Sequence, residues 1–165
     1  TRYIGDWSSD VCSSDLNRVM EMLDNSIGEL RRVAHNMMPE ALSRYGLKTA
    51  LSDFCKNFRN VKFHYFGAEQ RIEKKLEAVI YRAANELINN ALRHAGASVV
   101  NVQLVCGTDL ISLNVQDDGK GFDTAAETSG TGLNNIRTRV AAVNGTMNIH
   151  SSPGEGTEVD VEIKI

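Results

Sequence analysis

Glu77-Ala-Val-Ile-Tyr-Arg-Ala-Ala-Asn-Glu-Leu-Ile-Asn-Asn-Ala-Leu-Arg-His-Ala95 is the stretch around which the rest of the chain is organised. Leu76, Ile80, Ala83, Ala84, Leu87 and Ala91 recur at three- and four-residue steps and form one apolar stripe, which predicts a helix from about Ile72 to Ala95. Glu86, Asn90 and His94 follow one another at intervals of four. At roughly 100° per residue they span about 80° of arc, overlapping the edge of the apolar stripe. A carboxylate, an amide and an imidazole are therefore expected to point partly inward, where unpaired burial costs on the order of 1–3 kcal/mol each. They need partners, either within the helix flank or in a ligand.

Upstream, Val19, Met22, Leu23, Ile27, Leu30, Val33 and Ala34 predict an amphipathic helix from Asn17 to about Met38, with Arg18, Glu21, Arg31 and Arg32 on its other face. Pro39 closes it or starts the next. Ala41, Leu42, Leu47, Ala50, Leu51, Phe54 and Phe58 give a second helical pattern, with a bend expected at Gly46. Val61 to Gly67 alternates and is rich in aromatic and β-branched residues, as a strand is. Beyond the central helix, Ala97 to Cys106 and Leu110 to Gln116 read as strands joined at Gly107-Thr-Asp109. A helix is expected from Leu133 to Val143, and strands from Thr146 to Ser151 and Glu158 to Ile165 around the turn Ser152-Pro-Gly-Glu-Gly156. Strands joined by short turns, with helices in separate blocks, imply an α+β two-layer sandwich: one mixed sheet covered on its inner face by helices. The boundary with the helical extension is expected near residues 40–47, giving an extension over 17–43 and a sandwich over 44–165.

Residues 1–16 stand apart. Asp6-Trp-Ser-Ser-Asp-Val-Cys-Ser-Ser-Asp-Leu16 looks like an in-frame translation of a sequencing-library adapter and has neither helical nor strand period, so it is excluded from fold reasoning. It holds Arg2 and three acids, Asp6, Asp10 and Asp15, so the formal net charge of −3 becomes −1 without it. A nearly neutral remainder gives no reason to expect nucleic acid as a partner. No apolar run approaches the ~20 residues of a membrane span. Cys12, Cys55 and Cys106 are far apart and lack metal-ligand spacing, so a reduced, cytoplasmic compartment is expected.

The glycine-punctuated segment carries the chemistry. Asp117-Asp-Gly-Lys-Gly-Phe122 stands at a strand exit, and Gly130-Thr-Gly-Leu133 opens a helix. Glycines there let the backbone approach a ligand and turn N–H groups toward an anion, and the helix start adds the positive end of its dipole. Either motif alone also fits an ordinary loop.

The order of parts is more specific: an inward Glu/Asn/His helix, a hairpin, Asp-x-Gly-x-Gly, Gly-x-Gly-Leu before a helix, and Gly-x-Gly-Thr at 154–157. Together they resemble the ATP-binding domain of the GHKL superfamily, over residues from about 44 to 165. The resemblance implies ATP and Mg²⁺ as cofactors. It puts the Mg²⁺-coordinating amide on Asn90, the acceptor for the adenine amino group on Asp117 with Thr157 beside it, and the phosphate lid on Gly119, Gly121, Gly130 and Gly132, with Thr131 and Leu133 in the same motif. Glu86 could position or deprotonate a group near the γ-phosphate, and Arg93, His94 or Lys120 could offset phosphate charge.

Ile27 to Leu51 is similar to the second dimerisation helix and junction of sensor histidine kinases of the nitrate/nitrite-sensor type, matched at Met37 or Met38, Pro39, Leu42, Gly46, Leu47, Ala50 and Leu51. Arg93-His-Ala95 and Gly130-x-Gly-Leu-x-Asn-Ile-x-x-Arg139 fit the same subgroup. The resemblance implies a homodimer through the 17–38 helix and an upstream helix, and a response-regulator receiver domain as partner. In that family the phosphoacceptor histidine lies on the first dimerisation helix, followed by an acid. His35 is followed by Asn36 and reads as a surface or dimer-interface residue, while His64 and His150 are expected to be packing residues in strands. Two other readings share the sandwich: an anti-sigma-factor-type serine kinase, which the 17–38 helix argues against, and a non-enzymatic ATP-binding dimerisation module.

Overall fold

The computed structural model of the 165-residue chain describes residues 19, 20, 22, 40–68, 70–124 and 131–165. The chain divides into two compact units, Thr1–Met37 and Met38–Ile165. Residues 1–16, Pro39, His35, Gly130 and the predicted 17–38 helix, apart from Val19, Met20 and Met22, lie outside the described residues. Those three are helical and exposed.

Alternation builds the sheet. In β2 (Val100–Cys106) the residues Val100, Val102, Leu104 and Cys106 are buried, as are Ile111, Leu113 and Val115 in β3 (Leu110–Asp117) and Val159, Val161 and Ile163 in β5 (Thr157–Lys164). The intervening side chains face the other way, so one face of the sheet is apolar and the other polar. β1 (Val61–Gly67) and β4 (Thr146–Ser151) form the edges of the order β1-β2-β3-β5-β4 and are less buried. His64 and His150 sit in β1 and β4 as expected, but both are exposed rather than packed, because their strand parity puts them on the polar face.

β1 and β2 run parallel while the other pairs are antiparallel. A parallel pair needs a crossover, and α2 (Lys74–Asn90) supplies it, lying across the apolar face. Every member of its predicted stripe is buried: Leu76, Ile80, Ala83, Ala84, Leu87 and Ala91. α1 (Glu40–Lys56) packs beside α2 through Leu42, Leu47, Ala50, Leu51 and Phe54. α3 (Thr131–Ala141) contributes Ile136 and Val140, starting two residues before the expected Leu133 and ending two before Val143. The bend expected in α1 is a break: Gly46 has φ 82° and ψ 177°, a conformation open in practice only to glycine. The result is the α+β sandwich expected from the sequence.

Candidate functional site

The strand directions gather distant segments at one end of the central strands. β3 ends where β2 begins, with Asp117 opposite Val100. β5 begins there, with Thr157 opposite Asp117, and β4 ends there, with Ser151 opposite Thr157. The C-terminal end of α2 comes to the same place, since it leads through residues 96–99 into β2.

The loop after Asp117 docks on that helix end. Lys120 N–H donates to the Ala95 carbonyl at 3.0 Å, and a Cβ on Gly119 would lie 2.5 Å from that of Ala95. On its far side the same loop meets the 152–156 turn, where Gly154 N–H donates to the Lys120 carbonyl at 2.6 Å. The backbone of Lys120 thus bridges helix and turn, while its side chain is exposed.

Helical geometry changes within the motif itself. Ala91–Ala95 forms a π-helical turn, ended by Gly96 in the left-handed conformation at φ 64°. The wider turn breaks the spacing on which the inward position of His94 rested. Glu86 and Asn90 are half-buried as expected, but His94 is exposed, as is Arg93. Both side chains sit at the rim, with neither held in the core.

Glu86 and Asn90 meet the start of α3. A Cβ on Gly132 would stand 3.1 Å from Glu86 Oε1 and 3.6 Å from Asn90 Nδ2. Two positions of the first motif and one of the glycine motif, over 40 residues apart in sequence, are therefore neighbours. Leu133 packs against the core and fixes the helix there, and the backbone of Thr131 begins it.

Adjacent aspartates divide the remaining work. Asp118 Oδ1 accepts the N–H groups of Ser98 and Val99 at 2.7 and 2.8 Å, and these bonds hold its carboxyl below the ordinary value of 3.8. It clamps the α2–β2 connection to the end of β3. Asp117 Oδ1 accepts Gly119 N–H at 2.8 Å. Partial burial nevertheless pushes its carboxyl above 3.8, against the opposing pull of backbone amides. A half-buried carboxylate kept short of full stabilisation is ready to accept a donor from a ligand. Thr157, its cross-strand partner, is half-buried beside it.

The oxygen donors of Glu86 and Asn90 suit a magnesium ion, a hard cation that takes its other ligands from phosphates and water. Cys55 and Cys106 are free and buried; burial pushes the Cys55 thiol up to about 12, so it stays unreactive at neutral pH. The sequence reading missed the clamp by Asp118, the π turn and the hydroxyl of Ser151, which accepts Phe122 N–H at 3.0 Å. A strand-end serine gives no periodic signal, and only the neighbouring loop reveals what it holds.

The sequence profile of the family described as "Histidine kinase-, DNA gyrase B-, and HSP90-like ATPase" matches residues 76–165. The chain is 32% identical over 155 residues to the oxygen sensor histidine kinase NreB of Staphylococcus carnosus, covering 90% of this chain and 45% of that protein. It is 33% identical over 152 residues to the sensor histidine kinase MctS of Rhizobium johnstonii, covering 87% and 33%. The chain therefore spans less than half the length of either relative. Among solved structures, the ATP binding domain of PrrB from Mycobacterium tuberculosis shares the fold, with a TM-score of 0.55 at 20% identity over 72% of this chain and 90% of that one. With its five-stranded sheet, its helical Glu/Asn motif and the glycine loops around them, the chain belongs to the histidine kinase-, DNA gyrase B- and HSP90-like ATPase family.

Proposed function

We propose that the chain is the catalytic part of a sensor histidine kinase, which binds Mg-ATP and passes its γ-phosphoryl group to a histidine outside the sandwich, for relay to a response-regulator receiver domain. The observation that carries this reading is the meeting of Asp117 and Thr157, the Gly119–Lys120 backbone, and the Glu86/Asn90/Gly132 group around one helix end.

Asp117 reads the exocyclic amino group of adenine, since its charged form only accepts hydrogen bonds and a purine with a carbonyl there would leave it unpaired. Asn90 would give its amide oxygen to a Mg²⁺ ion, which would supply positive charge toward the phosphates, and Glu86 stands beside it to orient a water or take a proton. The backbone N–H groups at the start of α3, through Thr131, Gly132 and Leu133, face the phosphates. Arg93, His94 and Lys120, all exposed at the rim, offset phosphate charge. Mg²⁺ would neutralise charge building on the β- and γ-phosphate oxygens. In the transfer, the bond from the γ-phosphorus to its bridging oxygen breaks with its electron pair leaving on ADP, a phosphorus–nitrogen bond forms, and the imidazole proton passes to Glu86 or to water. The protein contributes position and charge balance. The 17–38 helix serves as a homodimer interface.

Titration calorimetry with Mg-ATP and a trans phosphotransfer assay test this reading. The chain is expected to bind Mg-ATP, to stay unlabelled with [γ-³²P]ATP, and to label a separately supplied histidine-bearing first helix. Asn90→Ala and Asp117→Ala each remove a charge-assisted contact of about 1.5–3 kcal/mol, an affinity loss of about 10- to 100-fold. Undiminished affinity in both variants would refute the site. Radiolabel on the purified chain would overturn the external acceptor, and His35→Ala would then show whether His35 takes the phosphate.

A further inference from the structure

Ser151, the last residue of β4, is half-buried, and its hydroxyl meets three groups: one in the loop after Asp117, one in the 152–156 turn and one at the start of β5. Phe122 N–H donates to Ser151 Oγ at 3.0 Å. Ser151 Oγ donates in turn to the Gly156 carbonyl at 2.8 Å. Thr157 Oγ1 lies 3.1 Å from the same oxygen. A serine hydroxyl owns one proton and two lone pairs. With the proton on Gly156 and one lone pair taken by Phe122, the lone pair that remains accepts from the Thr157 hydroxyl. Thr157 has then committed its single side-chain proton, and only its own lone pairs are left to face a ligand.

The surroundings hold this arrangement in place. The loop after Asp117 and the 152–156 turn stack backbone against backbone: Gly121 has φ 58°, and a Cβ there would run into the Ser152 carbonyl. A Cβ on Gly156 would likewise run into the Asp117 carbonyl. This close stacking of the two loops holds the Phe122 N–H and the Gly156 carbonyl against the Ser151 hydroxyl, which would lose a bond to one of them by reorienting.

We propose that Ser151 is a specificity-determining positioning residue: by accepting the Thr157 proton it makes Thr157 a hydrogen-bond acceptor beside the Asp117 carboxylate. The two side chains at this end of the site then offer acceptors alone, selecting a purine with an exocyclic amino group over one with a carbonyl at the same position. The proposal rests on the reading of this edge as the ATP site. It adds a second determinant to Asp117, one that works through a neighbour and not by touching the ligand.

The test compares the affinities of Mg-ATP and Mg-ITP, which differ in an amino group against a carbonyl at that position. Ser151→Ala returns the Thr157 proton to the site, where it can donate to a carbonyl. The ATP-to-ITP affinity ratio is expected to fall by about tenfold, the worth of one hydrogen bond. Ser151→Thr restores a hydroxyl and should restore the ratio. A merely structural role for Ser151 would weaken both nucleotides alike and leave the ratio unchanged, which would overturn the proposal. Thr157→Val provides an independent arm: it removes the lone pairs through which Ser151 acts, so it must lower the ratio as well. A ratio unmoved by Thr157→Val overturns the proposal even where Ser151→Ala fails to fold. If the unaltered chain bound neither nucleotide, the ATP-site reading itself would fail, and this proposal with it. ATP preference in the unaltered chain with a ratio insensitive to both variants would sink the role of Ser151 alone.

Discussion

Two consecutive aspartates with opposite shifts show how local surroundings assign roles. Asp117 is raised by burial, so its charged form is present only above a pH higher than an ordinary aspartate requires. A ligand amino group needs that charged form as acceptor, so binding is lost as pH falls through the raised value. Adenosine serves as the probe because it carries no phosphate to titrate, with Asp117→Asn as the control for protonation of the adenine ring itself. Its affinity is expected to decline on acidification at a pH above 3.8, whereas Asp117→Asn binds weakly throughout, with no such decline; equilibrium titrations across pH check this. The same burial penalises the charge in the empty fold, so Asp117→Asn is expected to raise the melting temperature at neutral pH while weakening the ligand. Asp118 behaves oppositely. Its carboxyl is lowered by the Ser98 and Val99 amides, so its contribution to stability is fully present above 3.8 and lost as pH falls through the lower folded value. Nothing in Asp117-Asp118 as letters marks Asp118 as the clamp; its bonds to the Ser98 and Val99 amides do.

At the scale of elements, the break in α1 and the start of α2 are tied by one arginine. Arg71 Nη2 donates to the Ser43 carbonyl at 3.2 Å and to Glu77 Oε2 at 3.1 Å, and Glu77 is only 2% exposed. The guanidinium also lies against Gly46, where a Cβ would meet Arg71 Cδ at 3.2 Å. Gly46→Ala is expected to destabilise the fold by about 1–3 kcal/mol, since its backbone conformation is strained for any residue with a Cβ. Arg71→Ala leaves a buried carboxylate without its countercharge, at a cost of about 1–3 kcal/mol after allowance for the exposed side of Arg71. Glu77→Leu in that background should recover most of the loss. Denaturant unfolding of the four proteins in the cycle checks this, and simple additivity would refute the coupling. The Gly46 bend was legible because glycine interrupts a helical pattern. The partner that fills the bend, 25 residues downstream, was not.

For the whole molecule, every described residue of the candidate site falls in one compact unit, Met38–Ile165. Removal of residues 1–37 is therefore expected to leave Mg-ATP affinity within about twofold, a difference of roughly 0.4 kcal/mol. It should also convert a dimer to a monomer, with calorimetry and analytical ultracentrifugation as the measurements. A large loss of affinity would mean that the N-terminal unit contributes to the site. Among the described residues, the sequence by itself determined the strands, the helices and their apolar faces, because side-chain period and glycine placement act within a few residues. Val61 to Gly67 and Thr146 to Ser151 were bounded as found, and the buried stripe of α2 was complete. Only the tertiary structure decided that His94 turns outward on a π turn, that Asp118 clamps the α2–β2 connection, and that the Ser151 hydroxyl meets Phe122, Gly156 and Thr157. Each of these depends on which distant segment lies alongside, and that is fixed by strand pairing and crossover packing over the whole sheet.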